Sequence, residues 1–426
     1  MAGGYRELRV AFDTLGCKLN QAETGLLARQ FAGAGYHLIS PDEHPDVYVL
    51  NTCTVTHIAD QKARQRLRMV RRRNPESLVV ATGCYAERAP EELLRIEGVD
   101  LVVGNDRKPH LLRWLEESGR LSSAGGVPDS YTGGGYHGFR TRAFIKIQDG
   151  CRRFCAYCIV PLVRPREESL PAGQVVGEIN SYIASGAQEI VLTGVEIGRY
   201  HHNGVGLKGL LERILAETGV TRLRLSSLQP DEISPELIEL WGDSRLCHHF
   251  HLSLQSGSDR VLERMRRRYS VSDYQRAVSL IRSLVPGAAI TTDVMVGFPG
   301  ETDDEFAESY EFCRQLGFAR IHVFNYSPRP GTLAAQMPQA VTSRVRKERS
   351  LKMLTLADES AQNCHRRYLG QTVPVLWEKQ TGGIWSGLTD SYIRVSARSH
   401  DDLTNRILDT RMVRINGDGV WGEVIE

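Results

Sequence analysis

The feature that most constrains this chain is an alternation of short apolar strands and helices that runs twice along its length, with cysteines at strand ends. LRVAFDT leads into LNQAETGLLARQFAGAG, DVYVLNT into IADQKARQRLRMVRRR, and SLVVATG into AERAPEELLRIEG, before DLVVG and PHLLRWLEESG close the unit. Such βα alternation predicts an α/β fold with a parallel sheet, Rossmann-like or flavodoxin-like. From residue 143 the rhythm resumes in FIKIQ, EIVLTG, TRLRLSS, HFHLSLQ, AITTDVMVGF and RIHVFNYS, separated by helical stretches. Six such units predict a partial (β/α)6 barrel, open at one side to admit a large substrate. Residues 341 to 366 read as one long helix, and the short strands after Gly370 predict a small antiparallel β-barrel, OB-like in character. The Gly- and Ser-rich segment 121–141 reads as a linker, so the expected domains are 1–120, 142–366 and 367–426.

The cysteines give this scaffold its chemistry. Cys151, Cys155 and Cys158 follow the strand FIKIQ at C-x3-C-x2-C spacing, where three thiolates can hold three irons of a cubane cluster and leave the fourth open. A zinc knuckle would want a fourth Cys or His nearby, and none is present. Cys17, Cys53 and Cys84 fall at the ends of three successive strands of the first unit, one βα unit apart. Because the C-terminal ends of neighbouring parallel strands lie side by side, these three are expected to converge on a second open three-cysteine site. Any one of them alone would read as a small buried residue. The run CHHFH places Cys247, His249 and His251 on one strand face, and these are read as interior polar groups rather than a zinc site. Cys313 and Cys364 are expected to be packing residues.

Composition narrows the partners. A formal charge of +2 offers no large basic field, so DNA binding is not expected and any RNA contact must come from local patches. The run KARQRLRMVRRR, residues 62 to 73, is either a solvated helix face or a phosphate-contacting surface, with Leu67 and Val70 turned to the sheet. The C-terminal barrel is either an RNA-binding module using aromatics and strand-borne arginines or a structural cap. No stretch approaches a membrane span and no signal peptide is recognisable, so a cytoplasmic location is expected.

The C-x3-C-x2-C loop, with Tyr157 before its last cysteine, resembles the radical S-adenosylmethionine (SAM) superfamily. The order of a three-cysteine α/β domain, this loop and a terminal β-barrel resembles the radical SAM methylthiotransferases over essentially the whole chain. TLGCKLNQAE, NTCTVTHIADQKARQ and IKIQDGC resemble the MtaB-like branch, which adds a methylthio group to C2 of N6-threonylcarbamoyladenosine at tRNA position 37. YGCQMN marks the branch acting on isopentenylated adenosine, and LGCPKN the one acting on an aspartate of a ribosomal protein. GLTDSYIRV matches the TRAM pattern of the tRNA-modifying branches.

The resemblance implies two 4Fe-4S clusters, an auxiliary one on Cys17, Cys53 and Cys84 and a SAM-binding one on Cys151, Cys155 and Cys158. It implies SAM as cofactor, contacted by Tyr157 beside the adenine, by the turns carrying Gly194, Glu196 and Gln255, and by Arg267 at the SAM carboxylate. The partners implied are the tRNA anticodon stem-loop and a reductant such as flavodoxin or ferredoxin. One SAM would methylate a sulphur on the auxiliary cluster, and a second would give the radical for C–S bond formation. The chain has Leu162, Val163, Arg164 and Pro165 where Tyr-Ala-Arg-Gly is common, Gln229 where an acid is commoner, and Glu196 where His is frequent. A different class, a non-catalytic iron-sulphur sensor or RNA-binding module, would show no SAM turnover.

Overall fold

The computed structural model describes residues 8–121 and 141–425, so most of the expected linker lies outside the described residues. The N-terminal unit is a five-stranded parallel sheet, β1 (Arg9–Thr14), β2 (His37–Ile39), β3 (Val47–Thr52), β4 (Leu78–Gly83) and β5 (Leu101–Val103). Its order, β2-β1-β3-β4-β5, is the flavodoxin-like one, with the chain reversing direction across the sheet between β1 and β3. Helices α1 (Lys18–Gly33) and α2 (His57–Arg73) pack on opposite faces, and each face has its own apolar core. Two details differ from the sequence reading. The strand β2 is an addition, and the helix expected over AERAPEELLRIEG is two short helices, Cys84–Arg88 and Pro90–Leu94. Pro90 causes the break: it disfavours the helical region at Ala89, which sits at φ −147° and ψ 66°.

The second unit has six parallel strands in sequential order: Arg142–Lys146, Glu189–Thr193, Arg222–Leu225, His249–Leu252, Ala289–Val296 and Arg320–Asn325. Hydrogen bonding divides them into a three-stranded and a four-stranded segment, the latter starting with Ser227–Leu228. Period two separates their side chains. Ile145, Ile190, Leu192, Leu223, Phe250 and Val294 face outward into the largest core, under the helices. The alternate positions, among them Arg142, Glu189, Arg224, His249, His251, Asp293 and His322, turn to the lumen. Helix α1 packs along the first barrel strand, at the barrel's open edge.

The helix Ser343–Tyr368 leads to a closed five-stranded barrel. It is not wholly antiparallel, since Arg394–Ala397 pairs in parallel with Gly419–Val424. The turn after Leu388 docks on the radical-barrel strands. Arg222 donates to Leu388 O and Pro374 O, and Arg224 donates to Asp390 O at 2.7 Å while holding Glu189 bidentately at 2.7 and 3.0 Å. Cys313 and Cys364 are packing residues, as expected. Among the described residues no helix is long and apolar enough to cross a membrane.

Candidate active site

Cys17, Cys53 and Cys84 stand at the C-terminal ends of β1, β3 and β4, three adjacent strands, in the crevice where the sheet's winding reverses. The loops approach closely. At Gly16, φ is +123° and an added Cβ would lie 2.7 Å from Cys53 Cβ. At Gly83, φ is +95° and an added Cβ would lie 2.5 Å from Thr52 O. Glycine therefore precedes both Cys17 and Cys84 because a side chain would block convergence. Cys17 sits at the N-cap of α1, where burial pushes its thiol above the ordinary value and the backbone N–H groups of Asn20 and Leu19 oppose that rise. Its side chain is nonetheless exposed to solvent.

The second set occupies the loop after the first barrel strand. Cys151 Sγ lies 3.3 Å from Glu196 Oε2, and Cys158 N donates to Cys155 O at 3.0 Å. Burial pushes the Cys53, Cys151 and Cys158 thiols up to about 12.

The donor sets fit iron-sulphur clusters better than single ions. Among the described residues, the one Cys, His, Asp and Glu group with ligand atoms all within 4.8 Å of one another is His251, Asp293 and His322, so neither cysteine triad is that tight. Zinc at about 2.3 Å from each sulphur would draw the three to about 3.8 Å apart. A cubane holds its cysteine ligands farther apart, and each triad offers three ligands with no fourth.

The two sets are brought together by the domain interface. Cys84 packs against Ile159 and Val163, just beyond Cys158, in a small buried cluster. The sequence reading named Arg164 but gave it no role at the site. Its guanidinium lies 3.3 Å from Cys84 Sγ, holds Glu23 at 2.8 Å through both terminal nitrogens, and reaches Asp149 at 2.7 Å. Lys108 also pairs with Glu23, and Lys146 reaches both acids. Against the cost of burial, Lys108 and Arg164 hold the Glu23 carboxyl well below the usual range.

The other expected site residues fall out as follows. Arg267 follows the fourth barrel strand, 3.4 Å from Cys155 Sγ, bonded to Gln229 and, at 3.0 Å, to Tyr269 Oη. Among the described residues no carboxylate pairs with it, because Gln229 stands where an acid would neutralise it. Tyr157 is tightly surrounded and packs edge-on against Phe298, ring centroids 6.5 Å apart, while remaining partly accessible. Gln255 has φ +69° and extends the fourth strand by bonding Asp293 O and Met295 N, with its side-chain amide making no hydrogen bond among the described residues.

Glu196 is buried and bound by Arg153, which also takes Asp231 at 2.8 Å and Glu232 at 3.1 Å. A thiolate at Cys151 would face Glu196, and Arg153 supplies the compensating charge. Burial, with Glu196 nearby, pushes Glu232 up to about 8. Gly194 is explained by packing: a Cβ there would lie 2.7 Å from Gln148 O. Gly257 and Gly297 are likewise pressed on Ser309 and Arg346, so protein packing accounts for these turn glycines without a ligand.

The family comparisons agree with this architecture. The model for the Radical SAM superfamily matches residues 145–313, and that for Uncharacterized protein family UPF0004 matches residues 9–104. The threonylcarbamoyladenosine tRNA methylthiotransferase MtaB of Bacillus subtilis is 35% identical over 98% of this chain and 97% of its own length. The chain belongs to the radical SAM methylthiotransferase family. MtaB of Aquifex aeolicus is 36% identical, covering 93% of this chain and 98% of its own. The tRNA-2-methylthio-N(6)-dimethylallyladenosine synthase of Chlorobium limicola is 34% identical, covering 94% and 90%. Among solved structures, the radical SAM methyltransferase TsrM of Kitasatospora setae, with cobalamin and a [4Fe-4S] cluster bound, shares the fold at a TM-score of 0.55 and 16% identity, over 89% of this chain and 81% of its own. Like other methylthiotransferases of the family, the chain is an enzyme of the class that works with SAM and 4Fe-4S clusters.

Proposed function

We propose that this chain inserts a methylthio group at C2 of N6-threonylcarbamoyladenosine at position 37 of tRNA. The observation that carries the reading is the meeting of two open three-cysteine sets at one interface, with Cys84 against the residues that follow Cys158. The substrate follows the two MtaB relatives, similar over nearly their whole length.

In this reading Cys151, Cys155 and Cys158 hold the SAM-binding cluster, and Cys17, Cys53 and Cys84 hold the auxiliary one. Once bound, these groups supply radical chemistry and a sulphur for transfer, which an unactivated adenine C2–H requires because acid–base groups cannot reach it. The chain's own residues bind and orient. Arg267, with Gln229 rather than an acid as its partner, keeps its charge for the SAM carboxylate, and Tyr157 would flank the adenine. Gln255 offers an uncommitted amide at the same rim, and Arg153 steadies the carboxylates of Glu196, Asp231 and Glu232 beneath Cys151. Arg164 ties the two cysteine-bearing domains into one wall. The adenosine must be splayed from its loop to enter such a site.

The test is anaerobic turnover of reconstituted enzyme with SAM, a low-potential reductant and tRNA carrying either N6-threonylcarbamoyladenosine or N6-isopentenyladenosine, followed by nucleoside mass spectrometry. Methylthiolation of the former is expected. Product from only the isopentenylated tRNA would reassign the substrate, and absence of SAM cleavage would remove the enzymatic reading.

A further inference from the structure

The residue after Cys17 carries a charge that the fold leaves unanswered. Lys18 opens α1, which packs along the first strand of the barrel, and its side chain reaches the lumen. There its ammonium sits 5.4 Å from the ring centroid of Tyr392, delivered by the turn of the C-terminal barrel. Arg224 and Arg142 lie 4.6 and 5.4 Å from the same ring. The nearby carboxylate, Glu189, is already held bidentately by Arg224, and Arg142 is paired with Glu378 at 2.8 Å. Among the described residues Lys18 makes no hydrogen bond and no ion pair. An ammonium enclosed by protein without a counter-charge costs stability, unless a ligand supplies the anion.

The neighbouring lumen surface is polar and open. His251 bonds Asp293 Oδ2 at 3.2 Å and Thr291 Oγ1 at 3.0 Å, and its ring centroid lies 5.8 Å from that of His322. His322 makes no hydrogen bond among the described residues, and His322 and Asp293 are both partly accessible. Thr291 joins His249 and His251 into one hydrogen-bonded chain ending on Asp293, which leaves His322 outside it. What remains uncommitted is the Lys18 ammonium, the His322 imidazole within electrostatic reach of it, and carboxylate lone pairs of Asp293.

We propose that Lys18 receives the threonyl carboxylate of the substrate's N6 substituent, with Asp293 and His322 meeting its hydroxyl and ureido groups. This rests on the substrate reading above and adds the residues that select it. The chemistry matches term by term. A threonylcarbamoyl arm ends in a carboxylate and carries N–H and O–H donors, whereas an isopentenyl arm carries none and would leave the Lys18 ammonium without a counter-charge. Sites built to bond polar groups reject analogues that lack them. C6, which bears N6, and C2 both flank N1 of adenine, so a seat for the N6 arm next to Cys17 keeps C2 near the auxiliary cysteines.

The experiment measures affinity of the reconstituted enzyme for three anticodon stem-loops: one bearing N6-threonylcarbamoyladenosine, one with its threonyl carboxylate converted to the carboxamide, and one with unmodified adenosine. Wild type is expected to bind the carboxylate form about 10- to 100-fold more tightly than the carboxamide, the range for a charged hydrogen bond in a desolvated site. Lys18→Gln should bind both alike, Lys18→Arg should restore part of the preference, and iron content should match wild type, which separates this role from damage at Cys17. A Lys18→Gln enzyme that keeps the carboxylate preference overturns the assignment to Lys18. Wild type that binds all three alike, yet methylthiolates the threonylcarbamoylated substrate, overturns this inference alone. Wild type that neither prefers nor modifies it overturns the substrate reading as well.

Discussion

Arg164 illustrates how a single side chain can organise a site. It has two carboxylates and a cysteine sulphur around one guanidinium, almost wholly out of water. Replacing it with Met should leave Glu23 and Asp149 with only Lys108 and Lys146, costing about 3–5 kcal/mol as for other broken buried networks. Chemical denaturation of the metal-free protein would show this as a fall in midpoint, and an unchanged midpoint would refute the interface role. Arg267→Gln should instead leave folding and iron content near wild type and weaken SAM binding about tenfold or more, readable by equilibrium dialysis. The placement of the six cysteines at strand ends was legible in the sequence because strand ends are marked by apolar runs and glycine. Arg153, Arg164 and the lumen position of Lys18 were not, because each acquires its partners from segments far along the chain.

At the scale of elements, α2 separates into two sets of arginines. Arg64, Arg66 and Arg71 are spent inside the domain, on Tyr85, Asp13 and Asp100, while Arg68 and Arg72 are exposed and make no ion pair among the described residues. The basic run therefore supports a narrower phosphate-contacting surface than its composition implies. Charge reversal at Arg68 and Arg72 should lower the salt slope of tRNA binding by about one unit each. Arg71→Glu should destabilise the fold instead, since it loses Gly98 O and Asp100.

The docking turn shows the same division. Tyr392, within the TRAM-like GLTDSYIRV, plugs the radical barrel, so for this turn the structural-cap alternative holds. Nothing in its local sequence distinguishes a plug from an RNA contact. Its His248–Asp390 contact, 2.7 Å long, is pH-dependent. The bond to Asp390 raises His248 above its ordinary value, and although burial opposes it, His248 holds Asp390 down to about 2. The attraction is complete between about pH 4 and 6.5, fades as pH rises through the folded-state value of His248, and is lost as pH falls through about 2. Both groups are about a third exposed, so the contribution is at most about 1 kcal/mol. The stability gap between wild type and His248→Gln should shrink from pH 6 to pH 9, and a constant gap would contradict the pairing.

At the scale of the whole molecule, three folded units converge on one place. The flavodoxin-like sheet brings three cysteines to its switch point, the open barrel brings three more to the end of its first strand, and the terminal barrel closes the lumen from the side of Arg222 and Arg224. Alternation and cysteine placement made the first two units readable from sequence. Their contact was not readable, since packing of Cys84 on Ile159 and Val163 is a property of two surfaces meeting. The central claim is that the two cysteine sets are separate cluster sites. Iron and labile sulphide should be counted after anaerobic reconstitution of wild type, of the Cys17/Cys53/Cys84 triple Ala variant and of the Cys151/Cys155/Cys158 triple Ala variant. The account predicts about eight irons in wild type and about four in each variant. Four irons in wild type, lost entirely in one variant and unaffected in the other, would contradict it.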